Sequence, residues 1–230
     1  MSVGTTPPSR TRQPKAVRES DILAAAYRIF SEKGYEKAAM SEIAKGAGVA
    51  EGTIYKHFSN KQDLLARVIA GFYKKLIDNT ENSLIGTKGI ENQLRAVIAR
   101  HIHTFFEDIG LCRLLLQEVR PLNNYPHSEM HQLTRRYSEI LLRVIQEGIT
   151  TKEIRDDISP KTIRDMIFGC LEHAGWNVLT TNAPPIDRDK LTNEIITVTL
   201  NGLAPPVKKP ADFDRNLQRL EQLVNRLENN

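Results

Sequence analysis

The chain has 230 residues, of which 40% are hydrophobic and 26% charged, with a formal net charge of +4. That is enough chain for one large domain or two small ones, with the ordinary composition of a globular protein. No apolar run reaches the length of a membrane span, the first residues carry no apolar signal segment, and two cysteines make no disulfide framework, so a reducing cytoplasm is expected.

The charge is uneven. Residues 1–75 hold 13 Lys/Arg against 7 Asp/Glu, whereas the remainder is slightly acidic. A basic N-terminal third is what a nucleic-acid contact needs, although it is also compatible with plain solvated surface.

Residues 1–15, rich in Ser, Thr, Pro and Arg, read as a disordered basic arm. From there the helical period dominates. Ile22, Leu23, Ala26, Tyr27 and Phe30 share a helix face, and Gly34 follows where a C-cap falls. Ile43, Ala44 and Ala47 mark a short helix ended by Gly48, and Gly52 to Phe58 a shorter one. Ser59 and Gln62 match a capping box at the head of a long helix whose stripe runs from Leu64 to Ile77. Further stripes run over Ile90–Phe106, Leu111–Val119 (stopped by Pro121) and Met130–Ile145 (ended near Gly148). Ser159-Pro160 is an N-cap followed by proline at the first helical position, and Asp187 caps the last core helix. No period-2 strand is visible. The expected fold is all-α with about nine helices, followed by a proline-rich linker at 204–210. Beyond it, Phe213, Leu217, Leu220, Val224 and Leu227 form two heptads of an apolar seam, expected to pack on the body or on a second subunit.

The informative stretch is Met40 to Lys61. A small Ala44 permits close helix crossing, Gly48 suits a tight turn, and Val49 and Ile54 anchor the following short helix. This is a helix-turn-helix pattern, whose second helix enters a DNA major groove. Thr53 and Tyr55 offer hydroxyls to phosphates, and Lys61 adds a cation at the head of the next helix. Phe58 reads as core; Tyr55 is weighed between core and phosphate contact.

Over Ala16 to Leu65, and above all in G-T-I-Y-K-H-F-S-N-K, the chain resembles the tetracycline-repressor (TetR) family of bacterial transcription regulators. The resemblance implies an all-helical homodimer on palindromic double-stranded DNA, released by a small-molecule effector. It implies phosphate contacts from Thr53, Tyr55 and Lys61, and base-edge candidates in Glu51, Gly52, Lys56 and His57, with Ser41 approaching from the preceding helix. Two departures stand out. Ala38-Ala39-Met40 lacks the usual capping hydroxyl, and Ala50 stands where Ser is frequent; Arg10, Arg12, Lys15 and Arg18 are expected to compensate.

The implied domains are a DNA-binding unit at 16–65, a ligand-binding and dimerisation unit at 66–203, and a linker with amphipathic helix at 204–230. Gly169, Cys170, Ala174, Gly175, Ile195, Thr199 and Gly202 offer a small, close-packing surface for a dimer seam, the alternative being an intramolecular core. Phe72, Phe105, Phe106, Met130, Tyr137, Met166, Phe168 and Trp176 are the pocket candidates, each also readable as plain core. The run from Leu114 to Arg120 resembles a stretch in family members that regulate fatty-acid degradation, which implies an acyl-CoA or lipid-like effector.

Rival readings are weaker. His127 and His131 stand at i and i+4, with His101, His103 and His173 elsewhere, but the H-E-x-x-H order is missing, so these are expected to be polar pocket or surface histidines and no metal is expected. No nucleophile elbow, phosphate loop or dinucleotide fingerprint appears; neither catalysis nor a cofactor is expected. The alternative in another class is a helical dimeric interaction module that has lost sequence-specific DNA binding.

Overall fold

The computed structural model describes residues 15–121, 125–180, 187–205, 218–222 and 224–225. Nine α-helices cover Lys15 to Leu203 among them: α1 (Lys15–Lys37), α2 (Met40–Gly46), α3 (Glu51–Ile54), α4 (Lys61–Leu84), α5 (Ile90–Glu107), α6 (Ile109–Leu114), α7 (Glu129–Thr150), α8 (Pro160–Thr180) and α9 (Arg188–Leu203). The described residues contain no strand, as the periodicity predicts. Of the expected basic arm, residues 1–14 lie outside the described residues, and Lys15 already begins α1.

The helix boundaries follow from local chemistry. Gly34 breaks the α1 helix at φ 77°, where a side chain would be strained. Ser159 Oγ accepts from the Thr162 N–H, with Pro160 first in α8. Asp187 accepts from the Lys190 N–H at the head of α9. At the head of α4 the expected capping box is corrected by one residue. Asn60, not Ser59, is the N-cap, accepting from the Asp63 N–H at 2.8 Å, and Asp63 reaches back to the Ser59 N–H at 2.9 Å. The wider spacing suits the carboxylate: it also accepts from the Ser59 hydroxyl, which therefore no longer caps.

The helices share one apolar core. Leu64, Leu65 and Ile69 of α4 meet Ile22, Ala26 and Phe30 of α1, and further along Ile77 joins Leu94 and Ile98 of α5 with Leu141 and Ile145 of α7. Burial of this kind supplies the main stabilising term. After α6 the chain does not simply continue as an α-helix. Leu115–Val119 forms a π-turn, with one residue more per turn than its neighbours. Gly148 does not end α7, which runs on to Thr150. Its Cα packs on Ile154, and an added Cβ would lie 2.7 Å from the Ile154 Cδ1. Of the C-terminal seam, Leu220 and Val224 are exposed; Phe213, Leu217 and Leu227 lie outside the described residues.

Candidate DNA-binding face and effector cavity

Helices α2 and α3 build the N-terminal face. Ile43, Ala44 and Ile54 are buried and lock the pair together, and Gly48 turns the chain between them at φ 66°. Ala39 caps α2 without a side-chain acceptor. Glu42 compensates in part: its carboxylate accepts from the Ala39 N–H at 3.5 Å and from Lys33 at 2.6 Å. Lys33, with the Ala39 N–H, holds the Glu42 carboxyl below the usual carboxylate range.

Beyond this lock, Ser41, Glu51, Gly52, Tyr55 and Lys56 are exposed, Thr53 is half-buried, and Phe58 is core. Lys61 lies with its ammonium 4.5 Å from the Tyr35 ring centroid and donates to the Glu36 carbonyl at 3.3 Å. The cation is thus held beside the first turn of α4, where unpaired N–H groups favour an anion. His57 differs from the other base-edge candidates. Its side chain is 6% exposed and turned toward α1, with Nδ1 3.6 Å from Glu19 Oε2. The chain closes a tight turn at Ile54, whose carbonyl accepts from both His57 and Phe58, and this directs His57 inward.

A cavity of about 370 Å³ opens among α4, α5, α6, α7 and α8. That lies within the roughly 300–1,000 Å³ of ligand pockets. Phe72, Phe105, Tyr137 and Phe168 line it. The other four pocket candidates do not. Met130 is buried in the core; Phe106, one residue round the helix from Phe105, packs under Arg188 at 5.3 Å; Met166 and Trp176 stand 67% and 41% exposed on the outer face of α8.

The cavity also holds polar groups that were not among the pocket candidates. Arg120, which follows the π-turn, donates to both carboxylate oxygens of Glu172 on α8, at 3.1 and 2.8 Å. Burial opposes the Arg120 charge, but the hydrogen bonds and charge of Glu172 more than offset it and keep the guanidinium ionised. His101 lies 3.1 Å from the Tyr137 hydroxyl. Burial pushes its pKa down to about 4, with Glu172 opposing the shift and Arg120 adding to it. Burial also raises the Cys112 thiol and the Tyr73 phenol to about 12, so both stay protonated near neutrality. A signal for these residues existed in the spacing: His101 precedes Phe105 by one helical turn, and Glu172 follows Phe168 by one.

A second, apolar groove of about 330 Å³ lies between α8 and α9 on the outer side. Cys170, Ile195, Thr199 and Gly202 line it, beside the strongly exposed Met166 and Val198. Gly169 is exposed with open space above its Cα, and Ala174 is half-buried. Gly175 belongs elsewhere. A Cβ there would lie 2.5 Å from the Phe105 ring, so this glycine faces inward and permits close approach of α5.

Among the described residues no group of three or more His, Cys, Asp or Glu could hold a metal ion, and no helix is long and apolar enough to cross a membrane.

With this geometry in view, the comparisons with known proteins converge. The family model for bacterial regulatory proteins of the tetR family matches residues 22–68. That for the tetracyclin repressor-like C-terminal domain matches residues 87–176. The fatty acid metabolism regulator protein of Bacillus subtilis is 28% identical over 194 residues, covering 84% of this chain and 98% of that one. The transcriptional repressor KstR2 of Rhodococcus jostii is 24% identical over 209 residues, covering 88% and 98%. The crystal structure of FadR from Bacillus subtilis in complex with stearoyl-CoA superposes with a TM-score of 0.71 at 29% identity, over 80% of this chain and 98% of that chain. The two models together match more than half of the residues, the first over the helix-turn-helix and the second over helices that line the cavity. The chain belongs to the tetR family of bacterial regulatory proteins and is a ligand-responsive, DNA-binding transcriptional regulator.

Proposed function

We propose that a homodimer of this chain represses transcription from a palindromic operator in the cytoplasm and is released from it by a long-chain acyl-CoA thioester. The observation that carries the effector class is the cavity wall made by Leu115, Leu116 and Arg120. It joins apolar surface to a guanidinium held in place by Glu172, so an acyl chain would meet an apolar wall with a polar end beside it. The likeness to a FadR crystallised with stearoyl-CoA supports the same class.

The labour divides along the chain. Residues 16–65 carry the DNA contacts: Thr53, Tyr55 and Lys61 on phosphates; Glu51, Gly52 and Lys56 toward base edges, with Ser41 beside them. Residues 66–203 hold the effector and the dimer seam, and 204–230 form a linker and amphipathic helix. The α8–α9 groove supports the seam, because Met166 and Val198 would otherwise remain bare to water. The dimer sets two copies of α3 about one helical turn of DNA apart, or a multiple of it. Catalysis has no part in this activity. The effector acts by binding the released state more tightly; a switch from 1:99 to 99:1 takes about 10⁴-fold.

Fluorescence anisotropy on labelled DNA from the region upstream of the protein's own gene tests this, with stearoyl-CoA or CoA titrated in. Tight, salt-dependent binding released by stearoyl-CoA and not by CoA is expected. Tight binding that stearoyl-CoA leaves intact overturns the effector class. Binding no tighter than to scrambled DNA excludes an operator in that region.

A further inference from the structure

The wall of the cavity is not uniformly apolar. His101 sits on the α5 stripe, flanked by the Tyr137 ring at 5.9 Å and the Phe168 ring at 5.4 Å. Tyr73 closes the far side of Tyr137 edge-on at 6.3 Å. One imidazole nitrogen, Nδ1, is 3.1 Å from the Tyr137 hydroxyl. The other makes no hydrogen bond to any described residue. It is not sealed off either. The sealed, unpartnered side-chain polar atoms among the described residues belong to Ser31, His57 and Arg100, whereas His101 is only half-buried and lines the cavity.

A neutral imidazole has one donor and one acceptor, and leaving either unmet in apolar surroundings is costly. The residue is neutral at pH 7, since burial holds its pKa at about 4. Here one nitrogen is matched, and the other, on a residue that lines the cavity between two aromatic rings, has no hydrogen-bond partner among the described residues.

We infer that His101, oriented by Tyr137, is a polar subsite within the cavity that hydrogen-bonds an oxygen atom of the effector. This rests on the acyl-CoA reading above and deepens it: the cavity selects for an oxygen at a defined depth, not for chain length alone. The oxygen has two sources, the thioester carbonyl or a hydroxyl or keto group on the acyl body. The Tyr137 hydroxyl fixes the imidazole orientation and so sets which nitrogen meets the ligand.

The test uses the full-length protein and three probes: stearoyl-CoA, its carbonyl-free thioether S-octadecyl-CoA, and a mid-chain hydroxystearoyl-CoA. Affinities are measured by calorimetry for the wild type, His101→Leu and Tyr137→Phe. One of two preferences of about tenfold is expected. Stearoyl-CoA over S-octadecyl-CoA places the thioester carbonyl at His101; hydroxystearoyl-CoA over stearoyl-CoA places an oxygen of the acyl body there. His101→Leu abolishes that preference while still binding S-octadecyl-CoA. Tyr137→Phe, which keeps the ring packing, reduces it and serves should His101→Leu fail to fold. Equal wild-type affinity for all three probes overturns the subsite and leaves the effector class standing. A preference that survives in both variants also overturns it. Failure of every probe to bind overturns the effector class and the subsite together.

Discussion

Gly110 and Ser31 meet backbone to backbone: a Cβ built on Gly110 would lie 2.7 Å from the Ser31 carbonyl oxygen. Next to this contact, the Tyr27 hydroxyl donates to the Asp108 carboxylate. Both contacts tie the segment that leads into the cavity wall to α1, the helix on which the DNA-binding face is built. Substituting Gly110 by Ala must push α6 off α1, since backbone cannot swing aside as a side chain can. The expected loss is about 1–3 kcal/mol of stability. Operator affinity should also weaken, because the separation acts at the junction. A thermal melt and a DNA titration check both; unchanged melting would show that α6 is free to slide.

The cap of α4 gives a sharper comparison. Asn60→Ala removes the acceptor for the Asp63 N–H and is expected to cost about 0.5–2 kcal/mol. Ser59→Ala removes only an exposed hydroxyl that touches Asp63 and should cost a few tenths at most. Urea midpoints of the two variants decide the order; a larger loss from Ser59→Ala would restore the box one residue earlier.

His101, half-buried in the cavity wall, sets a pH dependence. With an unfolded value near 6.5 and a folded value of about 4, the unfolded chain binds more protons between these limits. Stability is therefore full above pH 6.5 and falls as pH drops toward 4, by an amount on the order of 3 kcal/mol. His101→Leu should flatten the decline from pH 6.5 to 4 relative to the wild type. An identical slope in the two proteins would remove His101 from the account.

Met166→Arg and Val198→Arg test the seam. Each side chain is largely exposed in the protomer, at 67% and 73%, so the protomer should melt almost unchanged as a monomer while sedimentation shows loss of the dimer. A dimer that survives both charges would place the seam elsewhere.

Deleting residues 1–14 removes Arg10 and Arg12 from the basic segment. Each lost phosphate contact lowers the slope of log affinity against log salt by about 0.9. An unchanged slope on operator DNA would mean that the arm does not touch phosphate.

Much of the architecture was legible because its signals are local. Gly34 and Gly48 both adopt the positive φ that their positions imply, and Ser159 and Asp187 cap as their residue types suggest. The head of α4 was harder because S-N-K-Q-D contains two overlapping boxes, and only the reach of the Asp63 carboxylate separates them. The cavity was half legible. Aromatic side chains announce themselves, but a single residue step, about 100° round the axis, puts Phe105 in the wall and Phe106 against Arg188. His101 and Glu172 were left off the pocket candidates because polar residues on an amphipathic helix read equally as its solvent face, and the Arg120–Glu172 pair, across 52 residues, leaves no periodic trace.

The π-turn at Leu115–Val119 adds one residue to a helix that could otherwise have continued from α6. Arg120 therefore sits about 100° away from the direction that an unbroken α-helix would give it. The chain length of this one turn thus acts as an aiming device. Removing Gln117 or Glu118, neither of which lines the cavity, would swing the guanidinium away from Glu172 while leaving every side chain of the wall chemically intact.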